Sequence, residues 1–313
     1  MTSGRKRDIF RRSDKKHLLN GVRGMKKAIL NNQAISCMVI FSVLIAVHAF
    51  EAIVLRMDET IFAENFINKV FGIIVTAAII KVLDWQPKDI GLSKTKIAGN
   101  IGKGFLLAGF SFLIAFLAEI MILVGQNRHL SVGFYTTGFS LTGSGTVNSG
   151  IAAILMCVFF NIINVVMEEG TFRGLLFRIA QTYGSDKTAV MFQAFLFGIW
   201  HIVTPLHNFI DGDIGLLGFI LLSLGYIVLA GIMGIKWSIM YKLTGSLYAG
   251  MADHFFNNCV ATNLLHISTE TGTDEMLLVR VLIAQVISFA AVMAFNTKAM
   301  KEAAKKAKRK TSR

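Results

Sequence analysis

The stretch from Gly150 to Thr182 reads GIAAILMCVFFNIINVVMEEGTFRGLLFRIAQT and is apolar along most of its length. A run of this length exceeds the roughly 20 residues that a transmembrane helix needs. Two adjacent carboxylates, Glu168 and Glu169, nevertheless interrupt it. A charge at membrane depth costs about 2.5–3.5 kcal/mol on insertion scales, so such residues usually pair or carry function. The stretch therefore predicts a membrane span that has chemistry inside it.

Seven further apolar stretches place this span in a larger membrane domain. The chain has 313 residues, of which 54% are hydrophobic and 16% charged, and its mean hydropathy is +0.58. Soluble domains are nearer a quarter charged. The other apolar stretches are 34–55, 66–83, 101–124, 188–204, 214–235, 243–265 and 277–296. We predict an all-α membrane protein with about eight transmembrane helices, the shortest of them tilted or partly buried.

The charges in the loops predict an orientation, because Lys and Arg in short loops favour the cytoplasmic side. Loops of one set are cationic and contain Lys88, Lys94, Lys96, Arg173, Arg178, Lys187, Lys236 and Lys242. Loops of the alternate set are acidic and contain Asp58, Glu59, Glu64, Asp211, Asp213, Glu270, Asp274 and Glu275. We predict that both termini are cytoplasmic. A basic, proline-poor chain of this kind further suggests an integral protein of a bacterial plasma membrane.

The net charge of +13 is concentrated in two tails. We predict a basic cytoplasmic tail at 1–33, a helical intramembrane domain at 34–297 and a second basic cytoplasmic tail at 298–313. Anionic cytoplasmic lipid attracts tails of this kind, so lipid, and not nucleic acid, is their predicted partner. The three cysteines are isolated within apolar stretches, which gives little support to a disulfide or a zinc cluster.

The two glutamates of the fourth stretch have different predicted surroundings. Glu169 and Arg173 are four residues apart, which places them on one helix face as an ion pair. Glu168 points about 100° away and lacks that local partner. For the Glu169–Arg173 pair, a purely structural role in fastening helices is as good an interpretation as a functional one.

Glu168 and His201 are predicted to lie at one depth. Glu168 precedes the predicted cytoplasmic turn at 183–187 by fifteen residues, and His201 follows it by fourteen. Both therefore lie roughly 20 Å from the turn on antiparallel helices. His254 and Asn258 share one face of the seventh stretch, and that stretch reaches the same depth.

One carboxylate, two imidazoles and a carboxamide make a workable hydrolytic site. Glu168 could take a proton from water with His201 as its partner. His254 and Asn258 could donate hydrogen bonds to the oxyanion, an interaction worth about 2.7–4 kcal/mol per donor. Glu169 and Arg173 would brace the helix or hold the substrate backbone.

A metal site is the alternative interpretation of the same side chains. Glu168, His201 and His254 form the ligand set of some catalytic zinc sites. The sequence has no HExxH motif, and these three residues come from separate spans. The preferred mechanism therefore requires no cofactor, with zinc as the alternative.

Three spaced motifs connect these residues to a known family. The motifs are Glu168-Glu169-x-x-x-Arg173, Phe197-x-x-x-His201 and His254-x-x-x-Asn258. Over residues 85–265 the chain resembles the CPBP family, which comprises type II CAAX prenyl proteases and bacteriocin-processing or immunity (Abi) enzymes. The resemblance implies an eight-helix intramembrane peptidase. It also implies water activation by Glu168 and His201 and an oxyanion hole at His254 and Asn258.

The resulting prediction is an intramembrane endopeptidase that cleaves a membrane-embedded or lipidated, CAAX-like protein or peptide near the cytoplasmic side of the bilayer. A non-proteolytic scaffold or bacteriocin self-immunity protein is the alternative. A transporter that relays ions through the same polar groups is a further alternative. Two neighbouring residues receive structural interpretations: Trp237 as part of the interfacial aromatic belt and Asp253 as an accessory polar group.

Overall fold

The computed structural model describes residues 21–60, 62, 64–136 and 147–311, with side chains as far as Lys306. The basic residues of 1–20 and the last lysines and arginines of the second tail therefore lie outside the described residues or side chains. The helices in chain order are α1 (21–31), α2 (Gln33–Phe50), α3 (Ile67–Val82), α4 (Ile97–Gly125), α5 (Ile151–Glu168), α6 (Phe177–Gln181), α7 (Asp186–Trp200), α8 (Val203–Ile210), α9 (Leu216–Thr244), α10 (Tyr248–Phe255) and α11 (Leu277–Thr311).

Shorter helical segments continue or connect these helices. The π-helical segments are Glu51–Leu55, Glu169–Leu176 and Phe256–Leu264, and the 3-10 segments are Met57–Glu59 and Pro87–Ile90. Each π-helical segment continues an α-helix directly, so α2, α5 and α10 all widen at their C-terminal ends.

Six helices in the described part of the chain are long and apolar enough to cross a membrane. They span Gln33–Glu59, Ile97–Gly125, Ile151–Gln181, Asp186–Ile210, Leu216–Thr244 and Leu277–Lys306. The prediction of an all-α membrane protein is therefore confirmed. The count of eight and the cytoplasmic termini stay predictions.

The two remaining apolar stretches form shorter elements. Stretch 66–83 becomes α3, whose 16 residues cover about 24 Å at 1.5 Å per residue. Stretch 243–265 becomes α10 and the π-helical segment that follows it. Both elements contribute charged or polar side chains to the interior, which is why they are less uniformly apolar than the six long helices.

A small antiparallel sheet lies at one end of the helices. Strand β1 (Leu130–Phe134) pairs with β2 (Leu265–Thr269), with Val132 opposite Ile267. Strand β1 lies in the connection between α4 and α5. Arg128 links this loop to the acidic segment after β2, through Glu270 at 2.6 Å and Glu275 at 3.0 Å. We refer to this end of the molecule as the acidic face, and to the end that carries Lys88, Lys94 and Lys242 as the basic face.

Small residues allow the helices to approach one another closely. A Cβ atom at Gly104 of α4 would lie 2.2 Å from the carbonyl oxygen of Ala249 in α10. A Cβ atom at Gly198 of α7 would lie 2.7 Å from the carbonyl oxygen of Ile227 in α9. These contacts bring α10 and α7 against their neighbours and hold the polar residues of both helices in the interior.

Candidate active site

The two adjacent glutamates lie at the point where α5 becomes π-helical. Glu168 is the last residue of α5, and Glu169 begins the segment Glu169–Leu176. Both side chains are buried, at 3% and 1% exposure. Glu168 lines a cavity, whereas Glu169 faces the packed interior around His254. The sequence-based expectation that the two carboxylates point in different directions is therefore consistent with the geometry.

Glu168 is surrounded by three nitrogen atoms from three other elements. The indole N–H of Trp200 donates to its Oε1 at 3.2 Å, and Lys69 Nζ lies 3.6 Å from the same oxygen. His254 Nε2 lies 3.6 Å from Oε2. Oε2 itself is buried and has no hydrogen-bond partner among the described residues. One carboxylate oxygen is thus held in place, while the other has no hydrogen-bond partner among the described residues and belongs to a side chain that lines the cavity.

Lys69 is a residue of the site that was not predicted from the sequence. It lies two residues after the start of α3, and its side chain is 9% exposed. The N-terminus of α3 is fixed by Glu51, whose carboxylate accepts the backbone N–H of Ile67 at 2.7 Å and the side-chain amide of Asn68 at 2.7 Å. The sequence did contain a signal that could have identified Lys69. Glu51 and Lys69 are each a charged residue near one end of an otherwise apolar stretch.

His254 is held on three sides. Its Nδ1 lies 3.0 Å from Glu169 Oε1, and its Nε2 lies 3.1 Å from Nδ2 of Asn258. The ring stacks on Trp237 with centroids 4.0 Å apart and an interplanar angle of 16°. Asn258 in turn accepts a hydrogen bond from Asn257 at 2.7 Å. The predicted neighbours His254 and Asn258 are therefore in direct contact.

Arg173 joins the motifs through ring contacts as well as charge. Its Nη1 lies 3.4 Å from Glu169 Oε1, as the i,i+4 spacing predicts. Its guanidinium carbon lies 3.8 Å from the ring centroid of Phe197 and 4.8 Å from that of Trp237. The side chain is fully buried. Cation–π contacts are stronger when the cation is desolvated, so Phe197 contributes to holding this arginine.

Trp237 does not belong to an interfacial belt. It is 1% exposed, it stacks on His254, and its indole N–H donates to Asp253 Oδ2 at 2.7 Å. Lys236 Nζ lies 2.6 Å from the same Asp253 oxygen and donates to Gln285 of α11. The sequence-based interpretation of Trp237 was wrong because a position near a helix end does not show which neighbour covers the side chain.

His201 lines the same cavity as Glu168 but does not contact it directly. Its Nδ1 lies 2.8 Å from the backbone oxygen of Phe197, one helical turn earlier. Donation from Nδ1 to that carbonyl leaves Nε2 as an acceptor. Among the described ion-pair contacts, the imidazole closest to Glu168 is His254 and not the expected His201.

The cavity beside Glu168 has a volume of about 130 Å³ and is mostly polar. Its wall includes a set of carboxamides: Asn65, Asn161, Asn164, Asn208, Asn258 and Asn263. It also contains Lys69, His48 and Thr204. Since a water molecule occupies about 30 Å³ in the liquid, the cavity has room for several waters.

Zinc coordination by Glu168, His201 and His254 stays a prediction. In the part of the chain that the structure describes, three metal-ligating residues converge within 4.8 Å at Glu59, His207 and Asp211. That group lies on the acidic face, where Arg56 pairs with Glu59 and with Asp211. Glu168, His201 and His254 do not form such a group.

The fold and the buried cluster define a polytopic, all-helical membrane protein with a carboxylate–imidazole site. Residues 150–260 match the family model described as type II CAAX prenyl endopeptidase, Rce1-like. The matched segment contains all three motifs, so the resemblance to this membrane protease family is confirmed over that segment. No curated protein and no solved structure matches the chain.

Proposed function

We propose that this protein is an intramembrane endopeptidase that hydrolyses a peptide bond with water activated by Glu168. The observation that carries the proposal is the environment of Glu168. One of its oxygens is held by Trp200 and Lys69, and the other is buried, has no hydrogen-bond partner among the described residues and belongs to a side chain that lines a polar cavity. A positioned carboxylate beside a space for water is the minimum arrangement for general-base catalysis.

The reaction divides among the four predicted residues. Glu168 takes a proton from water, the hydroxide oxygen bonds to the substrate carbonyl carbon, and the carbonyl oxygen becomes an oxyanion. The Asn258 amide and a protonated His254 donate to that oxyanion. Glu168 then gives the proton to the leaving nitrogen as the C–N bond breaks, which yields an acid and an amine. His201, at the same cavity, orients the water.

Glu169 has a specific role in this proposal. His254 Nδ1 donates to Glu169, so its Nε2 can donate only when both ring nitrogens carry protons. Carboxylates on both sides of the ring, Glu168 and Glu169, stabilise that cation. Glu169 is therefore a positioning residue for the oxyanion donor, and Arg173 Nη1 lies 3.4 Å from its carboxylate.

Profiling the N- and C-termini of membrane proteins tests for peptidase activity without a known substrate. Cells with the wild-type chain are compared with cells that carry Glu168→Ala at equal abundance, and all N- and C-termini are profiled. We expect a set of termini to disappear in the variant. Identical profiles would instead favour the non-proteolytic scaffold or self-immunity function.

Metal removal tests the preferred mechanism against the zinc alternative. We expect a chelator of divalent zinc to leave cleavage by the purified protein unchanged, because the proposed mechanism uses only side chains and water. Cleavage that is lost on chelation and restored by zinc would assign Glu168, His201 and His254 to a metal site instead.

A further inference from the structure

The cavity beside Glu168 extends towards the acidic face. Along α5 its wall continues from Glu168 to Asn164 and Asn161, which is the direction of the N-terminus of α5. Asn208 near the end of α8 and Asn263 at the end of the last π-helical segment also line it. These helix ends all lie on the side of the β1–β2 sheet.

The opposite direction is closed by packed side chains. The π-helical segment Glu169–Leu176 continues α5 from Glu168 towards the basic face. Every residue of this segment is buried. Arg173, Phe197 and Trp237 fill the space next to it and are at most 1% exposed. In the described residues, the path from Glu168 to solvent therefore leads to the acidic face.

Loop charges assign this face to one side of the membrane. Asp58 and Glu64 of one acidic loop line the cavity, and other loops of the acidic face contain Asp213 and Glu270. The loops at the other end are cationic. Since cationic short loops remain in the cytoplasm, the mouth lies on the non-cytoplasmic side.

The chemistry of the wall favours a peptide over a lipid tail. Side-chain oxygens of Asp58 and Asn65, together with Glu168 Oε2, are buried without a hydrogen-bond partner among the described residues. All three residues line the cavity. A buried acceptor without a partner is costly, so these oxygens fit a ligand that supplies N–H donors. Apolar residues such as Val203 and Phe160 are a minority among the residues that line the cavity.

We propose that the substrate is an unlipidated, polar peptide segment that enters from the non-cytoplasmic face. This inference rests on the proposed function, because it concerns the same site. It differs from the expectation of cleavage near the cytoplasmic side. Distances to the turn at 183–187 gave the depth of Glu168 but not the direction in which the site opens.

Sided cysteine labelling tests the direction of opening. The three native cysteines are fully buried, so the wild-type chain should not be labelled and is the negative control. Thr204→Cys places a thiol in the cavity wall, and Thr95→Cys places a matched thiol on the basic face. We expect a membrane-impermeant maleimide to label Thr204→Cys in intact spheroplasts and Thr95→Cys only after the membrane is broken. The reverse pattern overturns the inference. Asn208→Cys is the second cavity position if Thr204→Cys does not accumulate.

The terminus profile then tests the substrate class separately. Termini that depend on Glu168 and lie in non-cytoplasmic, unlipidated segments support the inference. Termini confined to lipidated cytoplasmic C-termini overturn it while leaving the peptidase function intact. A profile without Glu168-dependent termini counts against the peptidase function itself, and the labelling result still decides the side on which the cavity opens.

Discussion

Glu168 is a carboxylate whose negative charge is balanced across the interior by residues from other elements. Lys69 Nζ and His254 Nε2 each lie 3.6 Å from one of its oxygens. Neither contact is local in sequence, so both depend on how α3 and α10 pack against α5. A buried charge that loses its partner is strongly destabilising. The stability of the fold and the state of the site are therefore coupled at this residue.

Replacing Lys69 by methionine tests that coupling. We expect Lys69→Met to lower the free energy of unfolding in detergent by about 3 kcal/mol, because Glu168 is left buried without its cation. In a Glu168→Gln background, Lys69→Met should lower the free energy of unfolding far less, because no buried charge is left without a partner. Chemical unfolding of the four chains in a double-mutant cycle measures the difference. Equal losses in both backgrounds would mean that the Lys69–Glu168 contact contributes nothing.

Glu169 is expected to affect catalysis through His254. Glu169→Gln keeps the shape of the side chain but removes the charge that stabilises a protonated imidazole. We expect cleavage to fall by about 100-fold, at the upper end of what residues behind a catalytic group usually contribute. Substrate affinity should change little, so kcat falls while KM is retained.

Glu119 provides the matched control for Glu169. It is also a buried carboxylate, at 1% exposure, and it pairs with Arg280 at 3.2 Å, away from the cavity. At equal amounts of folded protein, Glu119→Gln should cleave at the wild-type rate. If both variants lost activity equally, burial of a carboxylate in general, and not the Glu169–His254 contact, would be responsible.

At the scale of elements, the π-helical segments are the feature that brings the motifs together. Glu169 begins one such segment, and Asn258 lies inside another, Phe256–Leu264. A π-helix has one residue more in each hydrogen-bonded turn than an α-helix, and such segments often occur at functional sites. The i,i+4 spacing of Glu169 and Arg173 predicted their contact correctly. No spacing in the sequence indicates that the helix around them is widened.

Close contact between α4 and α10 keeps His254 in position. A methyl group at Gly104 would lie 2.2 Å from the backbone oxygen of Ala249, so Gly104→Ala must push the two helices apart. We expect a loss of about 1–3 kcal/mol in unfolding free energy, which is typical of overpacking, together with lower activity.

Gly102, one half-turn earlier on α4, is the control for Gly104. A methyl group there meets nothing within 4 Å. Gly102→Ala should therefore be neutral or stabilise the helix by about 0.5–1 kcal/mol, because alanine has the better helix propensity. Thermal unfolding in detergent compares the two variants directly. A larger loss for Gly102→Ala than for Gly104→Ala would contradict the close contact.

At the scale of the whole molecule, the sequence predicted the class of fold better than it predicted the contacts between side chains. Apolar run lengths gave the membrane helices, and the three motifs gave Glu168, His254 and Asn258, which meet as expected. Lys69 was missed because its partner lies 99 positions away in the chain, and no local pattern encodes such a pairing. His201 was placed at the correct cavity but not in contact with Glu168, because depth along a helix does not define the rotation of a side chain.

A second buried network ties the acidic face to the long helices. Asp274 lies 2.5 Å from His266 Nδ1 and 2.8 Å from Arg280 of α11, and Arg280 reaches Glu119 of α4. His266 Nε2 lies 3.0 Å from the backbone oxygen of Tyr135. Both nitrogens of His266 thus have acceptors, which favours the protonated ring. The network closes the β1–β2 sheet over the helix ends.

The pKa values of this pair set a pH window for stability. Burial alone lowers the pKa of His266, but the hydrogen bond and charge of Asp274 outweigh it and raise the pKa above 6.5. Burial raises the pKa of Asp274, but His266 and Arg280 outweigh it and hold the pKa below 3.8. The His266 contribution is complete below pH 6.5 and is lost as pH rises through its raised pKa. The Asp274 contribution is present above pH 3.8 and is lost as pH falls through its lowered pKa.

We therefore expect the free energy of unfolding to decline as pH rises above 6.5. In His266→Gln, the part of this decline that comes from deprotonation of His266 should be absent. Unfolding in detergent from pH 5 to pH 9 measures it. His129→Gln is the control, because His129 is exposed on the same face and its side chain belongs to no described contact of the network. A parallel pH dependence in wild type and His266→Gln would show that the proton on His266 does not stabilise the closed acidic face. In that case the side-chain contacts that hold the sheet would be those of Arg280 with Asp274 and of Arg128 with its carboxylates. The Arg128 ion pairs are partly exposed and individually worth about 0–1 kcal/mol.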